Sequence, residues 1–478
     1  MHLKRMFVFA LGGLAIATPV LAATSFQHVI VVVQENRTPD NLFYGLCVKA
    51  KACAVPPGPG QYDIQTSAWL DKTSKSDTTD PTAVSLGLGY DLAHSHLAFV
   101  AMCDLTVNSR GACAMDGAAG VKCKSIRQTC PPKAAYGYVD NSSGAVQPYL
   151  DLVHNYGWGN YMFQTNQGPS FPAHQFLFGA TSAPSADDDH AGTFAAENSG
   201  KYENTNTGCA ASRTTRVPLI NAQGVEFTKV FPCFEHQTLS DLLDGQDVSW
   251  RYYGPGAGSI WMAPNAISHI CSAHGQKCTG SEWKSNVDTN PSDVLSDISS
   301  NCNLRGVSWI APDGTNSDHI GNVKTTGGPS WVASIVDAVG NSTCTNPDGS
   351  SYWSTTAIII TWDDWGGWYD HEPPAIEAYP EGGYQMGFRV PLVVVSAYTS
   401  AGTISNKPED FGSIARFIEQ NFGIVEGALR FADKRSTGDL TEFFSTGHAR
   451  EPFRPIRAPL SKEYFLHAKP SGIPPDTD

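Results

Sequence analysis

Three short stretches of this 478-residue chain carry side chains suited to a single reaction centre. Glu35 and Asn36 follow the apolar run His28 to Val33, and Asp363 and Asp364 follow Thr356 to Thr361. Carboxylates and an amide oxygen are fitting ligands for a hard divalent cation. Adjacent acids repel in an apolar setting unless a cation or hydrogen bonds compensate. Either pair alone reads as a helix cap or a solvated turn; the placement of both at the ends of apolar runs favours one shared ligand set. The third stretch is Asn166 to Gly179, where Ser170 stands at an expected helix-cap position with Pro172 at the second helical residue and an apolar helical pattern beyond. Unpaired backbone N–H groups at such an end favour a phosphate, and a neighbouring cation would lower the hydroxyl pKa and make it a nucleophile. Taken alone, such a serine is an N-cap.

Phosphoryl chemistry also needs groups that stabilise the transferring oxygens and protonate a leaving alkoxide. The candidates are His94 in Asp91-Leu92-Ala93-His94-Ser95-His96, His319 in Asn316-Ser317-Asp318-His319 and His371 in Tyr369-Asp370-His371-Glu372. His94 and His96 have a spacing that suits chelation on one strand face, but no third ligand lies nearby in sequence.

The elements that must position these groups are legible as patterns. His28 to Val33, Thr356 to Thr361 and Arg389 to Val395 are continuous β-branched runs, which suit strands of a sheet covered on both faces. Helical periodicity marks Ser330 to Val339 and Phe411 to Phe422, the latter with Ile414, Phe417, Ile418 and Phe422 on one face. The layout predicts an α/β fold with a largely parallel central sheet flanked by helices. Ligands bind beyond the carboxyl ends of strands in such sheets, so the two acidic pairs can converge. Residues 48–146 and 183–231 are rich in Gly, Ser, Thr, Asn and Cys and read as long insertions, either decoration or pocket walls. Trp250-Arg251-Tyr252-Tyr253 reads as a buried strand, with a ring-lined cation pocket as the other reading.

Residues 1–22 pair Lys4 and Arg5 with an apolar run ending in small residues, as a secretory signal peptide does, with cleavage expected near Ala22. No later segment looks membrane-spanning, and the expected location is secreted or periplasmic. Export favours disulfides for the twelve cysteines, several of which sit close together: Cys47/Cys53, Cys123/Cys130 and Cys271/Cys278. Zinc ribbons have little support, because no Cys-x-x-Cys pair occurs. A net charge of −14 argues against nucleic acid as a partner and requires an anionic substrate to meet locally supplied positive charge. Residues 23–450 are read as the catalytic domain and 451–478, Pro-rich, as an irregular tail. Asn-x-Ser/Thr sequons begin at Asn36, Asn141 and Asn341.

Six segments, VVVQENRTPDNLF, QGPSFPAHQFLFGATS, SDHI, TWDDWGGWYDHEPP, GFRVPLVVVSAY and FGSIARFIE, occur in the order found in the bacterial phosphoesterase family of acid phosphatases and phospholipases C, which the chain resembles from about Phe26 to Phe444. The resemblance implies an alkaline-phosphatase-like fold with long disulfide-rich insertions. It implies Glu35, Asn36, Asp363 and Asp364 as metal ligands, and Ser170 as a nucleophile that also touches the metal. His94 and His319 would bind phosphoryl oxygens; His371 and, more weakly, His269 match family histidines without an assigned role. Asp364 departs from a common Glu, and Thr38 from a common Ser. The expected reaction is hydrolysis of a phosphate ester or phospholipid through a phosphoserine, with a divalent metal ion whose identity is open. Larger phosphatidylcholine-cleaving relatives carry further C-terminal domains, which tilts the expectation toward soluble esters. A secreted binder that keeps the fold without turnover is the alternative. A sulfatase-like hydrolase is disfavoured, since no Cys-x-Pro-x-Arg motif is present.

Overall fold

The run His28–Gln34 forms strand β1, and all seven residues are buried. The structure is a computed structural model that describes residues 26–48, 51–105, 112–199, 206–321, 327–374, 376–377, 384–425, 427–429, 431–436, 438–445 and 451–469. The expected signal peptide, residues 1–22, lies outside the described residues. β1 is central to an eight-stranded sheet with β2 (Gly157–Gly159), β3 (Trp250–Tyr253), β4 (Val287–Asp288), β5 (Val307–Ile310), β6 (Thr356–Trp362), β7 (Leu392–Ser396) and β8 (Thr403–Ser405). The order across the sheet is β4-β3-β5-β1-β6-β7-β2-β8. Every neighbouring pair is parallel except the two made by β7, which runs antiparallel to β6 and β2. The largely parallel α/β fold expected from the sequence is thus present. β7 starts at Leu392, three residues later than the sequence pattern suggests, because Pro391 brings no N–H to a ladder and Arg389 is drawn into an ionic network. Trp250–Tyr253 is a buried strand, as its first reading held.

Helices cover both faces. Val31 pairs with Trp309, whose indole N–H donates to Leu177 O in α2 (Ser170–Gly179) at 3.0 Å. Gln34 pairs with Trp362, whose ring lies 5.2 Å from Tyr149 in α1 (Gln147–Asn155). Val31 and Gln34 point to opposite faces of β1, so α1 and α2 lie on opposite sides. α3 (Gly328–Gly340) packs with α1 and α4 (Phe411–Phe422) with α2. α4 opens with an Asp410–Ser413 capping box and ends on Gly423 in the left-handed region at φ 70°.

Neither insertion is featureless. The first supplies Trp69, Tyr90 and Phe99 to a second apolar core, and Trp365, Trp368 and Tyr369 from the loop after β6 complete that core. The second folds partly as a three-stranded antiparallel sheet of Phe194–Ala195, Val217–Ile220 and Glu226–Val230. All twelve cysteines are paired: 47–53, 103–113, 123–130, 209–233, 271–278 and 302–344. The tail, expected to be irregular, holds a helical segment at Lys462–His467 whose Phe465 packs on Trp331. Among the described residues, no helix is long and apolar enough to cross a membrane.

Candidate active site

β1 and β6 are apolar on both faces, so alternation cannot set their register. Their ends do. Asp363 N–H donates to Gln34 O at 2.9 Å, Arg37 N–H to Asp364 O at 2.9 Å, and Asn36 N–H to the Asp363 carboxylate Oδ1 at 3.0 Å. This pairing brings Glu35 and Asn36 beside Asp363 and Asp364, as the strand-end argument requires. Asn36 adopts φ 63°, a conformation that Asn tolerates better than most residues. Gly366 is required by the same packing, because its φ is 62° and a Cβ would stand 2.3 Å from Asn36 O.

Ser170 is the first residue of α2, with Pro169 at the cap, so it is not the cap that the sequence pattern indicated, and Pro172 falls at the third helical position. Asn198, from the second insertion, supplies a side-chain acceptor for Phe171 N–H at 2.9 Å. The Ser170 hydroxyl points into the acidic cluster, 3.3 Å from Asp364 Oδ2 and 3.5 Å from Glu35 Oε2. Gln164 ties this loop to the loop after β6: its amide donates to Asn166 O and Gly168 O, and its Oε1 accepts from Trp365 N–H at 3.2 Å.

His94 lies on the other side of Asn36. Its Nδ1–H donates to Leu92 O at 2.8 Å, and its Nε2 accepts from the Asn36 amide at 3.0 Å. That bond fixes the amide orientation. Asn36 Oδ1 is left buried without a hydrogen-bond partner, and so is Asp363 Oδ2. Buried acceptors of this kind are costly unless something positive meets them. Two such oxygens among three buried carboxylates and a hydroxyl fit a hard divalent cation. The His319 ring lies 5.8 Å from that of His94, centroid to centroid, and its Nδ1 bonds Ile320 O. His319 is anchored through Asp318, whose carboxylate accepts from Tyr149 OH at 2.8 Å and Trp362 Nε1 at 3.0 Å, and whose carbonyl accepts from Arg37. Burial pushes the Asp318 carboxyl up to about 6, against the opposing Arg37 charge.

Two candidate histidines are placed elsewhere. His371 bonds Asp40 at 2.9 Å and Asp63 at 3.1 Å, in a separate buried network with Arg389. His269 pairs with Glu235 and Asp241 near the surface, and the Asp241 hydrogen bond leads the contacts that raise it to about 9 against its partial burial. The sequence reading missed His174. Its Nε2 lies 3.1 Å from Glu35 Oε1 and 3.8 Å from Asp363 Oδ2, its Nδ1 lies 3.2 Å from Tyr252 OH, and burial pulls it down to about 4. Its signal was the spacing of four from Ser170, which puts both on one helix face.

A sequence profile described as Phosphoesterase family matches residues 26–425. The chain is 29% identical over 247 residues to the non-hemolytic phospholipase C of Pseudomonas aeruginosa, a match covering 46% of this chain and 32% of that protein. It is 26% identical over 249 residues to phospholipase C A of Mycobacterium tuberculosis, covering 46% of each. The chain thus spans less than half the length of either relative. A solved structure of a protein in the alkaline phosphatase superfamily from Vibrio parahaemolyticus aligns with a TM-score of 0.31 and 11% identity, over 59% of this chain and 61% of that one.

Proposed function

Because the chain belongs to the Phosphoesterase family, we propose that it is an exported hydrolase of phosphate esters in which Ser170 attacks phosphorus and forms a phosphoserine. The observation that carries this reading is the direction of the Ser170 hydroxyl, turned from the helix end into a cluster with two orphaned acceptor oxygens. Glu35, Asn36, Asp363, Asp364 and Ser170 would hold a divalent cation, which when bound supplies charge that lowers the serine pKa and offsets charge on the phosphoryl group. Ser170 Oγ bonds to phosphorus as the ester oxygen leaves, and water then hydrolyses the phosphoserine. His94 and His319, whose rings lie 5.8 Å apart, stabilise the phosphoryl oxygens. Tyr149 and Trp362 hold Asp318, and so fix the backbone that presents His319. The charged leader and six disulfides support export.

Similarity to proteins named phospholipase C supports a lipid phosphodiester as substrate, with a soluble phosphomonoester as the competing class. Turnover of p-nitrophenyl phosphate, p-nitrophenyl phosphorylcholine and phosphatidylcholine, with and without chelator, decides between them. Ser170→Ala should lower turnover of the preferred ester about 10³-fold or more with an unchanged circular dichroism spectrum. Activity that survives the substitution would remove Ser170 from the mechanism.

A further inference from the structure

A ligand set made only of carboxylate, amide and hydroxyl oxygens suits Mg²⁺, Ca²⁺ or Mn²⁺. His174 changes that set. It stands four residues after Ser170 on α2, all ten residues of which are buried, so one face of the helix carries both side chains toward the acids. Glu35 turns one oxygen to each: Oε2 lies 3.5 Å from Ser170 Oγ, and Oε1 lies 3.1 Å from His174 Nε2. Asp363 divides its oxygens too. Its Oδ1 accepts from the N–H groups of Asn36 at 3.0 Å and Asp364 at 2.7 Å, while its Oδ2, 3.8 Å from His174 Nε2, is buried without a hydrogen-bond partner.

The far side of the ring shows which nitrogen carries a hydrogen. Tyr252, buried on β3, donates its one hydroxyl hydrogen to Trp261 O at 2.7 Å. Its oxygen, 3.2 Å from His174 Nδ1, can then only accept, so Nδ1 is the donor. In the neutral ring the Nε2 lone pair therefore faces two carboxylate oxygens, an arrangement that repels unless a cation lies among them. A second hydrogen on the ring would serve Glu35, but Asp363 Oδ2 is too distant to share it. A single cation serves all three groups. One ligand atom from each of Glu35, His174 and Asp363 lies within 4.8 Å of the others. Bonds of about 2.1 Å place neighbouring ligands of one ion about 3 to 4 Å apart. Metal-bound imidazoles donate their other ring N–H to a fixed acceptor, the part that Tyr252 fills here.

We propose that His174 Nε2 is a nitrogen ligand of the cation held by Glu35 and Asp363, and that the site selects an imidazole-preferring ion of the Zn²⁺ class over Mg²⁺, Ca²⁺ or Mn²⁺. The inference rests on the reading of Glu35 and Asp363 as metal ligands. Carboxylates bind hard and borderline ions alike, whereas an imidazole nitrogen adds most for the borderline ones. Tyr252 is a positioning residue, whose oxygen holds the ring with Nε2 turned to the acids.

The test reads binding and needs no substrate. The full chain, stripped by chelator, would be titrated with Zn²⁺ by chelator competition and with Mn²⁺ by the loss of its free-ion electron paramagnetic resonance signal. His174→Gln should raise the Zn²⁺ Kd about 100-fold and the Mn²⁺ Kd less than about fivefold. Tyr252→Phe removes no ligand and should raise the Zn²⁺ Kd about tenfold, again with little change for Mn²⁺. It carries the test should His174→Gln fail to fold. A merely structural role for His174 would move both ions together. Equal losses for the two ions, or no loss for Zn²⁺, overturn the proposal and leave Glu35 and Asp363 as ligands. Failure of the wild type to bind either ion, or Zn²⁺ affinity untouched by Asp363→Asn, overturns the cation site and this proposal with it.

Discussion

Two buried ionic clusters grow from the same pair of loops and differ in what balances their charge. Glu35, Asp363 and Asp364 stand at the start of the loops after β1 and β6, beside His174, which burial holds below the ordinary histidine range at about 4. Asp40, Asp370 and His371 stand a few residues further along those loops and are joined by Asp63 from the first insertion. Here the cations belong to the chain. Arg389 donates to both oxygens of Asp370 at 2.8 and 3.1 Å, and lies 3.5 Å from Asp63 and 3.6 Å from Asp40. Burial works to lower His371, but the Asp40 charge and the bonds to Asp40 and Asp63 outweigh it and raise His371 to about 10. Three carboxylates thus meet two internal cations in one cluster. The other leaves Asn36 Oδ1 and Asp363 Oδ2 without hydrogen-bond partners. Internal cations balance the knot, whereas the other cluster keeps two acceptor oxygens that a bound cation would meet.

The most damaging way to break this contrast is to remove the knot's arginine. Arg389→Met leaves three buried carboxylates facing one imidazolium and should cost about 3–5 kcal/mol in denaturant unfolding. A loss below about 1 kcal/mol would mean that the knot does not hold the loops. His371→Gln tests the same cluster through its pH dependence. Folding raises the imidazolium pKa, so its contribution is whole below about pH 6.5, where the unfolded chain is protonated too, and is lost as pH rises through about 10. The wild type should exceed the variant by about 3 kcal/mol at pH 6, a gap that closes toward pH 10; a gap independent of pH would take the charge of His371 out of the knot. The smallest effect belongs to the site. A divalent cation at about 100 times its Kd should stabilise the wild type by about 2.7 kcal/mol, read as a chelator-reversible rise in Tm. Asp363→Asn should abolish the rise and Asp370→Asn should keep it; the opposite pattern would exchange the roles of the two clusters.

Much of this arrangement was legible in the sequence because it is local. Continuous β-branched runs mark buried strands, and the oxygen-bearing residues at their ends are found by reading onward, which singled out Glu35, Asn36, Asp363 and Asp364. Phe411 to Phe422 is a helix with the bounds its periodicity indicated. His371 was a candidate for the opposite reason: it follows directly in the Asp363 loop, and nothing in the sequence says that Asp63 and Arg389 will reach it first. His174 was overlooked although it is four residues from Ser170, since its meaning depends on Glu35, 139 positions away. Ser170 itself was placed one residue early, because a proline took the cap and Asn198 supplied the acceptor.

The sequence by itself determined the main strand and helix types, the α/β class and the oxygen-bearing residues at two strand ends, since hydrophobic period and chain direction are properties of neighbouring residues. Only the tertiary structure decided the register that joins Gln34 to Trp362, the turning of the Ser170 hydroxyl into the acids, and the division of histidines between site and knot. Charge compensation is a sum over residues from several segments, and the chain forms that sum only when it folds.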